Sequence, residues 1–179
     1  MNNTIIKEAL SYSLGSDLHE EWRKTRKLKD GTYEPRMKKS KDESWNLVHG
    51  TDDVDIANTS FSELPFNWQY ENLEAAKVVI NLVFDKIINN ETFNDEEMRR
   101  MASIVHDEWL KRNSWVYDLE YGDPKLTVSF DELSEEEKKK DVVQLEAAYS
   151  KVMKYVNGLI DIDSLCSQYN IGNSNIKTK

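Results

Sequence analysis

The sequence predicts a mainly α-helical fold with a few short β-strands, built from two helix–connection–helix repeats related by a pseudo-two-fold axis. Three observations predict it. Two short motifs each occur twice, apolar residues follow helical spacing in both copies, and helix-capping residues stand where helices should begin. The chain has 179 residues, of which 39% are hydrophobic, and this is enough to bury a core.

The two repeated motifs define the proposed duplication. Residues 18–22 (Leu-His-Glu-Glu-Trp) return as residues 105–109 (Val-His-Asp-Glu-Trp), 87 positions later. Residues 60–64 (Ser-Phe-Ser-Glu-Leu) return as residues 129–133 (Ser-Phe-Asp-Glu-Leu), 69 positions later. The first copy therefore carries 18 additional residues between its motifs, and we infer a tandem repeat.

Apolar periodicity supports the same alignment. The helix before the first motif histidine places Leu14, Leu18 and Trp22 on one face, and its counterpart has Met101, Val105 and Trp109. The helix after the second motif has matching apolar positions in both copies. These positions are Leu73, Ala76, Ile80, Val83 and Ile87 in the first copy, and Val142, Leu145, Tyr149, Val152 and Val156 in the second.

Capping residues set the expected helix boundaries. Asn94 and Ser134 are each followed three residues later by Glu, which predicts the start of the His106 helix and of the last long helix. Pro65 fits the first turn of the helix through residue 88, and Gly158 fits a C-terminal cap.

The segments between helices are predicted to be irregular. Residues 30–60 read as a long loop, whereas residues 115–117 and 126–128 flank Gly122 and predict a small hairpin. We expect a first repeat over residues 1–90, a second over 91–160, and a short helix with a disordered tail over 161–179. The two repeats are expected to form one compact unit.

Charge is unevenly distributed along the chain. The formal net charge is −9, yet residues 22–41, called here the basic island, hold nine basic and two acidic residues. An acidic protein does not coat duplex DNA or anionic lipid, and its longest apolar run is too short to span a membrane. The basic island predicts a local anion site or a contact for an acidic partner.

Cysteine content and the N-terminus indicate the compartment. Cys166 is the single cysteine, so neither an intrachain disulfide nor a cysteine-based zinc site can form within one chain. The first residues lack a charged and then apolar signal sequence. These features predict a reduced, soluble, cytoplasmic protein without a cofactor.

The order of these motifs resembles the ryanodine receptor (RyR) repeat family. The second copy is the closer match, with the motif containing His106 and Trp109, the aromatic turn at residues 114–117, and the motif from Phe130 to Asp141. The first copy has Asn72 where the second has Asp141. The resemblance implies a mainly helical tandem module with short strands and no established catalytic activity, of a type that occurs in bacteria and phages.

The predicted function is non-catalytic recognition of a small anionic ligand, such as a nucleotide or a nucleotide-derived signal. The two histidine helices are expected to border a cleft in which arginines bind phosphate and an aromatic ring stacks on a base. Candidate ligand-binding residues are His19, Trp22, Arg23, Arg26, Tyr33, Arg36 and Lys38 in the first repeat, and His106, Trp109, Lys111, Arg112, Trp115 and Tyr117 in the second.

Each candidate has a plain structural alternative. The histidines could hydrogen-bond a backbone carbonyl while packing on tryptophan, and Trp22 and Trp109 continue an apolar face that favours core packing. At the level of function, the first alternative is an interaction adaptor that docks an acidic protein, or a homo-oligomer. The second is a metal-dependent phosphohydrolase, suggested by the dyad of His106 and Asp107, although no hydrolase or nucleotide-binding motif accompanies it.

Overall fold

The computed structural model describes residues 2–120 and 122–172, which form six α-helices and one two-stranded sheet. The mainly α-helical class with a few short strands is therefore confirmed, whereas the pseudo-two-fold axis stays a prediction. The elements are α1 (Asn3–Thr25), β1 (Met37–Lys39), α2 (Glu43–His49), β2 (Asp53–Asp55), α3 (Phe66–Ile88), α4 (Asp95–Arg112), α5 (Glu135–Val156) and α6 (Ile162–Tyr169).

The predicted caps are in place. The side chains of Asn94 and Ser134 each accept a hydrogen bond from the backbone N–H three residues later, at the starts of α4 and α5. Pro65 directly precedes α3, and its carbonyl accepts the first two helical hydrogen bonds. Gly158 follows α5 in the left-handed region at φ 70°, and this conformation favours glycine.

The prediction of a long loop over residues 30–60 is wrong. Strand β1 pairs antiparallel with β2, and α2 lies between them. Asp42 caps α2 by accepting from the N–H of Trp45 at 3.0 Å, and Gly50 ends the helix at φ 67°. The inserted segment is therefore structured by an Asp cap and a Gly terminator that the sequence already contained.

The hairpin predicted between residues 115 and 128 is also wrong. Short 3₁₀ turns occupy Ser114–Tyr117 and Pro124–Leu126, and Tyr121 lies outside the described residues. Val116 is buried, and the backbone N–H of Asp118 donates to the carbonyl of Trp115 within the first turn. Local 3₁₀ hydrogen bonds replace the strand pairing expected from the β-branched residues.

The chain divides into two compact units, each described separately. Residues 11–74 form the His19 unit, and residues 1–10 with 75–179 form the His106 unit. The predicted division at residue 90 stays a prediction. Helix α6 occupies the segment where a short helix was expected, and residues 173–179 of the predicted tail lie outside the described part of the chain.

The core of the His106 unit includes contacts between α4 and α5. The inward face of α5 consists of Asp141, Leu145, Ala148 and Val152, all buried. The predicted apolar face was partly wrong, since Tyr149 and Val156 are 41% and 48% exposed. Their positions lie to one side of the buried face, which includes an aspartate in place of an apolar residue.

The His19 unit brings α1 close to α3 at a glycine. A Cβ on Gly15 would lie 3.1 Å from the carbonyl oxygen of Asn72, so a larger residue would force the helices apart. The apolar side chains buried in this unit are Leu14, Val54, Ala57, Phe61, Leu64, Pro65 and Leu73.

Candidate functional site

The two motif histidines make the same contact, each within its own unit. The Nε2 atom of His19 lies 3.0 Å from the carbonyl oxygen of Thr59, and that of His106 lies 2.9 Å from the carbonyl oxygen of Val128. Both rings are buried, and each lies beside the tryptophan three residues later. The carbonyl requires a proton on Nε2 of each ring, so Nε2 is the donor in both contacts.

The second motif holds the carbonyl that each histidine contacts. Ser60 donates from Oγ to Glu63 at 2.6 Å, and Ser129 donates to Glu132 at the same distance. The phenylalanine after each serine is buried. The motif therefore fixes a short turn whose preceding carbonyl receives the histidine, which explains why the two motifs occur together.

Two arginines of the predicted site are engaged within the His19 unit. Arg23 donates to the carbonyl of Ala57 at 2.8 Å and to Glu20 at 2.7 Å, and its guanidinium lies 4.8 Å from the centre of the Tyr33 ring. These contacts tie α1 to the segment after β2. They give Arg23 and Tyr33 a structural role in addition to any role in ligand binding.

Arg26 and Trp22 form a second pair of an arginine and an aromatic ring. The guanidinium of Arg26 lies 5.7 Å from the Trp22 ring and pairs with Glu34 at 2.9 Å. Trp22 is only partly buried, so it borders the core rather than filling it.

Lys38 and Arg36 differ in their surroundings. The ammonium of Lys38 lies 5.7 Å from the Trp68 ring, and burial lowers the pKa of this lysine. The side chain of Arg36 is exposed, and its backbone N–H donates to Asp55. Arg36 is thus the predicted cation best placed to meet a partner in solution.

The predicted residues after Trp109 lie along the end of α4 and the following turn. Lys111 pairs with Glu108 at 2.6 Å, and Arg112 donates to the carbonyl of the same Glu108 at 3.0 Å. Trp115 and Tyr117 are about half exposed. The predicted cleft that joins these residues to those of the first repeat stays a prediction.

A cavity of about 210 Å³ lies within the His106 unit, and we call it the His106–Asp141 cavity. Two of the predicted site residues, His106 and Trp109, line it. Leu126 and Leu133 supply its apolar wall, and α5 supplies its polar side. The lining residues on α5 are Glu137, Lys140, Asp141 and Gln144.

Asp141 is the unusual residue of this cavity. Its residue surface is 7% exposed, and its carboxylate lies 3.7 Å from Nδ1 of His106, which is longer than a hydrogen bond. Its side chain is 11% exposed and makes no hydrogen bond with another described residue, so its donors must come from solvent or from a molecule in the cavity. Burial raises the pKa of Asp141 to about 6, and the neighbouring His106 lowers it.

The other polar residues of the cavity are already paired. Lys140 contacts both carboxylate oxygens of Glu137 at 2.7 Å, and Gln144 donates to the carbonyl of Lys140 at 3.3 Å. The carboxylate of Asp141, in contrast, has no donor among the described residues.

The corresponding position of the first repeat is different. Asn72 aligns with Asp141, and its side-chain amide donates to the carbonyl of Trp68 at 2.8 Å on the same helix. Trp68 itself aligns with Glu137. In the first repeat the polar side chain at this position is therefore hydrogen-bonded within α3. The ring of Trp68 stands where the second repeat has the carboxylate of Glu137.

The sequence did not identify Asp141 as a site residue. An available signal was the spacing of Asp141, Leu145, Ala148 and Val152, because it places an acidic residue on the apolar face of α5. An aspartate on a core face is rare without a partner, and such positions are enriched in functional sites.

A second hollow, about 540 Å³ and open to solvent, lies in the His19 unit. Its wall includes Trp45 and His49, whose rings stack with centroids 3.8 Å apart. His49 is the last residue of α2. Asp53, Asp55 and Glu63 also line it, but each already binds a lysine, a backbone N–H or a serine.

Among residues 2–120 and 122–172, no group of three or more His, Cys, Asp or Glu side chains is arranged to hold a metal ion. Nor does any helix of that part have the length and apolarity needed to cross a membrane. No protein-family profile, curated protein or solved structure matches the chain.

Proposed function

We propose that the chain is a non-catalytic ligand-binding module that holds a small nucleotide-like ligand in the His106–Asp141 cavity. The observation that carries the proposal is Asp141, a buried carboxylate that faces the cavity without a hydrogen-bond donor among the described residues. A ligand that supplies N–H groups to this carboxylate would recover the cost of its burial.

The walls of the cavity favour a planar, partly apolar group. Trp109 lies in the wall, and two leucines form the apolar side. Aromatic side chains stack on nucleobases with a typical contribution of about 1–3 kcal/mol per base. The cavity volume of about 210 Å³ is small for a whole ligand, since pockets of about 300–1,000 Å³ are usual, so it fits the base alone.

The negative part of the ligand would lie at the rim. Lys140 is on that rim, and its side chain is 61% exposed although it pairs with Glu137. An ammonium has three donors, and two of those of Lys140 contact Glu137, so the third can bind a phosphate while Glu137 keeps its contacts. The resemblance to RyR repeats agrees with a binding role without catalysis.

Isothermal titration calorimetry with mono-, di- and cyclic nucleotides tests this proposal. Gln144→Trp adds a ring at the cavity and should abolish binding, whereas Val143→Trp adds the same ring at an exposed position outside the lining. The matched pair separates occlusion of the cavity from a general effect on α5. Absence of binding by the wild-type protein to every nucleotide would overturn the proposal.

A second candidate function, an adaptor for an acidic protein, is favoured by the surface of the His19 unit. Leu47 and Val48 on α2 are 85% and 80% exposed, and Met37 is exposed within the basic island. Met37 stands between Arg36 and Lys38, and an exposed apolar side chain beside cations suits an acidic amphipathic partner.

Calorimetry with a synthetic helical peptide of alternating glutamate and leucine faces tests the adaptor function. Leu47→Glu should weaken peptide binding, and Leu119→Glu, which changes a fully exposed leucine of the other unit, should not. Binding should also weaken at high salt because exposed charges are screened. Equal binding by both variants would contradict this function.

A further inference from the structure

We propose that the His106–Asp141 cavity selects guanine-type bases over adenine, with the carboxylate of Asp141 accepting two adjacent N–H groups from the base. The inference rests on the proposed function and adds the chemical class of the ligand. The inference concerns which hydrogen-bond donors Asp141 accepts. The order of affinities for different bases tests it separately from nucleotide binding itself.

An ionised carboxylate can only accept hydrogen bonds. Nδ1 of His106 lies 3.7 Å from the carboxylate of Asp141, too far for a hydrogen bond, while Nε2 of the same ring contacts the carbonyl of Val128. Both carboxylate oxygens are therefore available to donors that enter the cavity.

The other carboxylate of the cavity does not compete for those donors. Glu137 is held by Lys140 through both oxygens at 2.7 Å, so its charge is already balanced. Asp141 thus decides which hydrogen-bonding edge of a base the cavity accepts.

The guanine edge offers two donors side by side, the ring N1–H and the exocyclic amine. A carboxylate can accept both at once, in the paired geometry that it uses with arginine. Adenine instead presents the lone pair of N1 beside its amine, and this lone pair would face a carboxylate oxygen. A site with an acceptor-only group therefore rejects adenine through repulsion as well as through a missing hydrogen bond.

Calorimetry with GMP, IMP and AMP at about pH 7.5, where a carboxyl with a pKa of about 6 is ionised, tests the inference on the unmodified protein. IMP keeps N1–H but lacks the exocyclic amine, so the expected order of affinity is GMP, then IMP, then AMP. A bidentate contact gives roughly tenfold to hundredfold discrimination, which sets the expected ratio of GMP to AMP.

The variant Asp141→Asn should shift the preference towards AMP. An amide carries one acceptor and one donor, the pattern that pairs with adenine, and it places an N–H against a guanine donor. Asp107→Asn is the matched control, because it makes the same change at an exposed residue of α4 outside the cavity lining. The control should retain the wild-type ranking.

Acid provides a further test that needs no variant. At about pH 5 the protonated Asp141 both donates and accepts, so the ratio of GMP to AMP affinity should fall. The charged or titratable groups around Asp141 are His106 on α4 and Glu137 and Lys140 on α5. GMP and AMP carry the same phosphate group, so the titration of that group cancels in the ratio of their affinities.

The possible outcomes separate guanine selection from nucleotide binding. If AMP binds as tightly as GMP at about pH 7.5, guanine selection is overturned while nucleotide binding stands. If Asp141→Asn fails to fold, the wild-type ranking and its pH dependence still decide the question. If none of the three nucleotides binds, this inference is overturned, and failure of the whole nucleotide panel overturns the proposed function as well.

Discussion

Replacing Asp141 with asparagine should make the protein more stable at neutral pH. Folding raises the pKa of this carboxyl from its usual 3.8 to about 6, because burial disfavours the charged form. The difference is about 2.2, and each pKa unit corresponds to 1.36 kcal/mol, so the ionised carboxylate costs about 3 kcal/mol. Asparagine has nearly the same shape and no charge to bury.

The direction in which stability changes with pH follows from the number of protons bound at Asp141 in the folded and unfolded states. Between about pH 4 and pH 6 the folded state holds more protons at Asp141 than the unfolded state does, so the wild-type protein loses stability as pH rises through that window. The advantage of Asp141→Asn is therefore absent below about pH 4 and complete above about pH 7. The pKa of about 6 already includes the attraction between Asp141 and His106, so we expect a gain of about 3 kcal/mol.

Urea unfolding followed by tryptophan fluorescence, at about pH 4 and about pH 7.5, measures this difference. A gain of this size corresponds to a rise in Tm of roughly 5–10 °C in a chain of this length. Asp107→Asn is the control, and exposed substitutions of this kind usually stay within about 0.5 kcal/mol. A loss of stability in Asp141→Asn at about pH 7.5 would show that the carboxylate is compensated in the fold, and the argument for a ligand at this residue would fall with it.

Three further predictions concern the framework of the site. His106→Gln should retain a donor to its carbonyl partner and lose less stability than His106→Ala, for which about 1–3 kcal/mol is expected in urea unfolding. Arg23→Met should destabilise the His19 unit by a similar amount because it removes the donor to the carbonyl of Ala57 and to one oxygen of Glu20, whereas Arg36→Met should be close to neutral in thermal unfolding. Leu145→Ala should cost about 2–5 kcal/mol as a core cavity, against a small change for the exposed Val143→Ala, and equal losses would contradict the assigned core of α5.

Local signals predicted the helices well. Asn94 and Ser134 act within one turn of the chain, since a cap depends on the side chain and the backbone N–H three residues later. Asp42 and Gly50 carry the same kind of signal at the two ends of α2, so these residues also predict a helix. Strands of three residues, such as β1 and β2, are too short for an alternating pattern to reveal.

The aromatic turn shows where local preference failed. Residues 115–117 have β character, but Val116 is buried and the chain closes into 3₁₀ turns instead. Strand formation depends on a partner strand and on packing, neither of which is encoded in three residues.

The sequence by itself determined the helical class, the main helix boundaries and the two recurring motifs, because periodicity and capping are properties of neighbouring residues. It also named His106 and Trp109 as site residues. The tertiary structure alone decided that α4 and α5 bury Asp141 beside His106 and that a cavity remains next to these residues. Burial and pairing depend on which surfaces meet in space, and this is why a carboxylate that reads as an ordinary helix residue becomes the acceptor on which the proposed site depends.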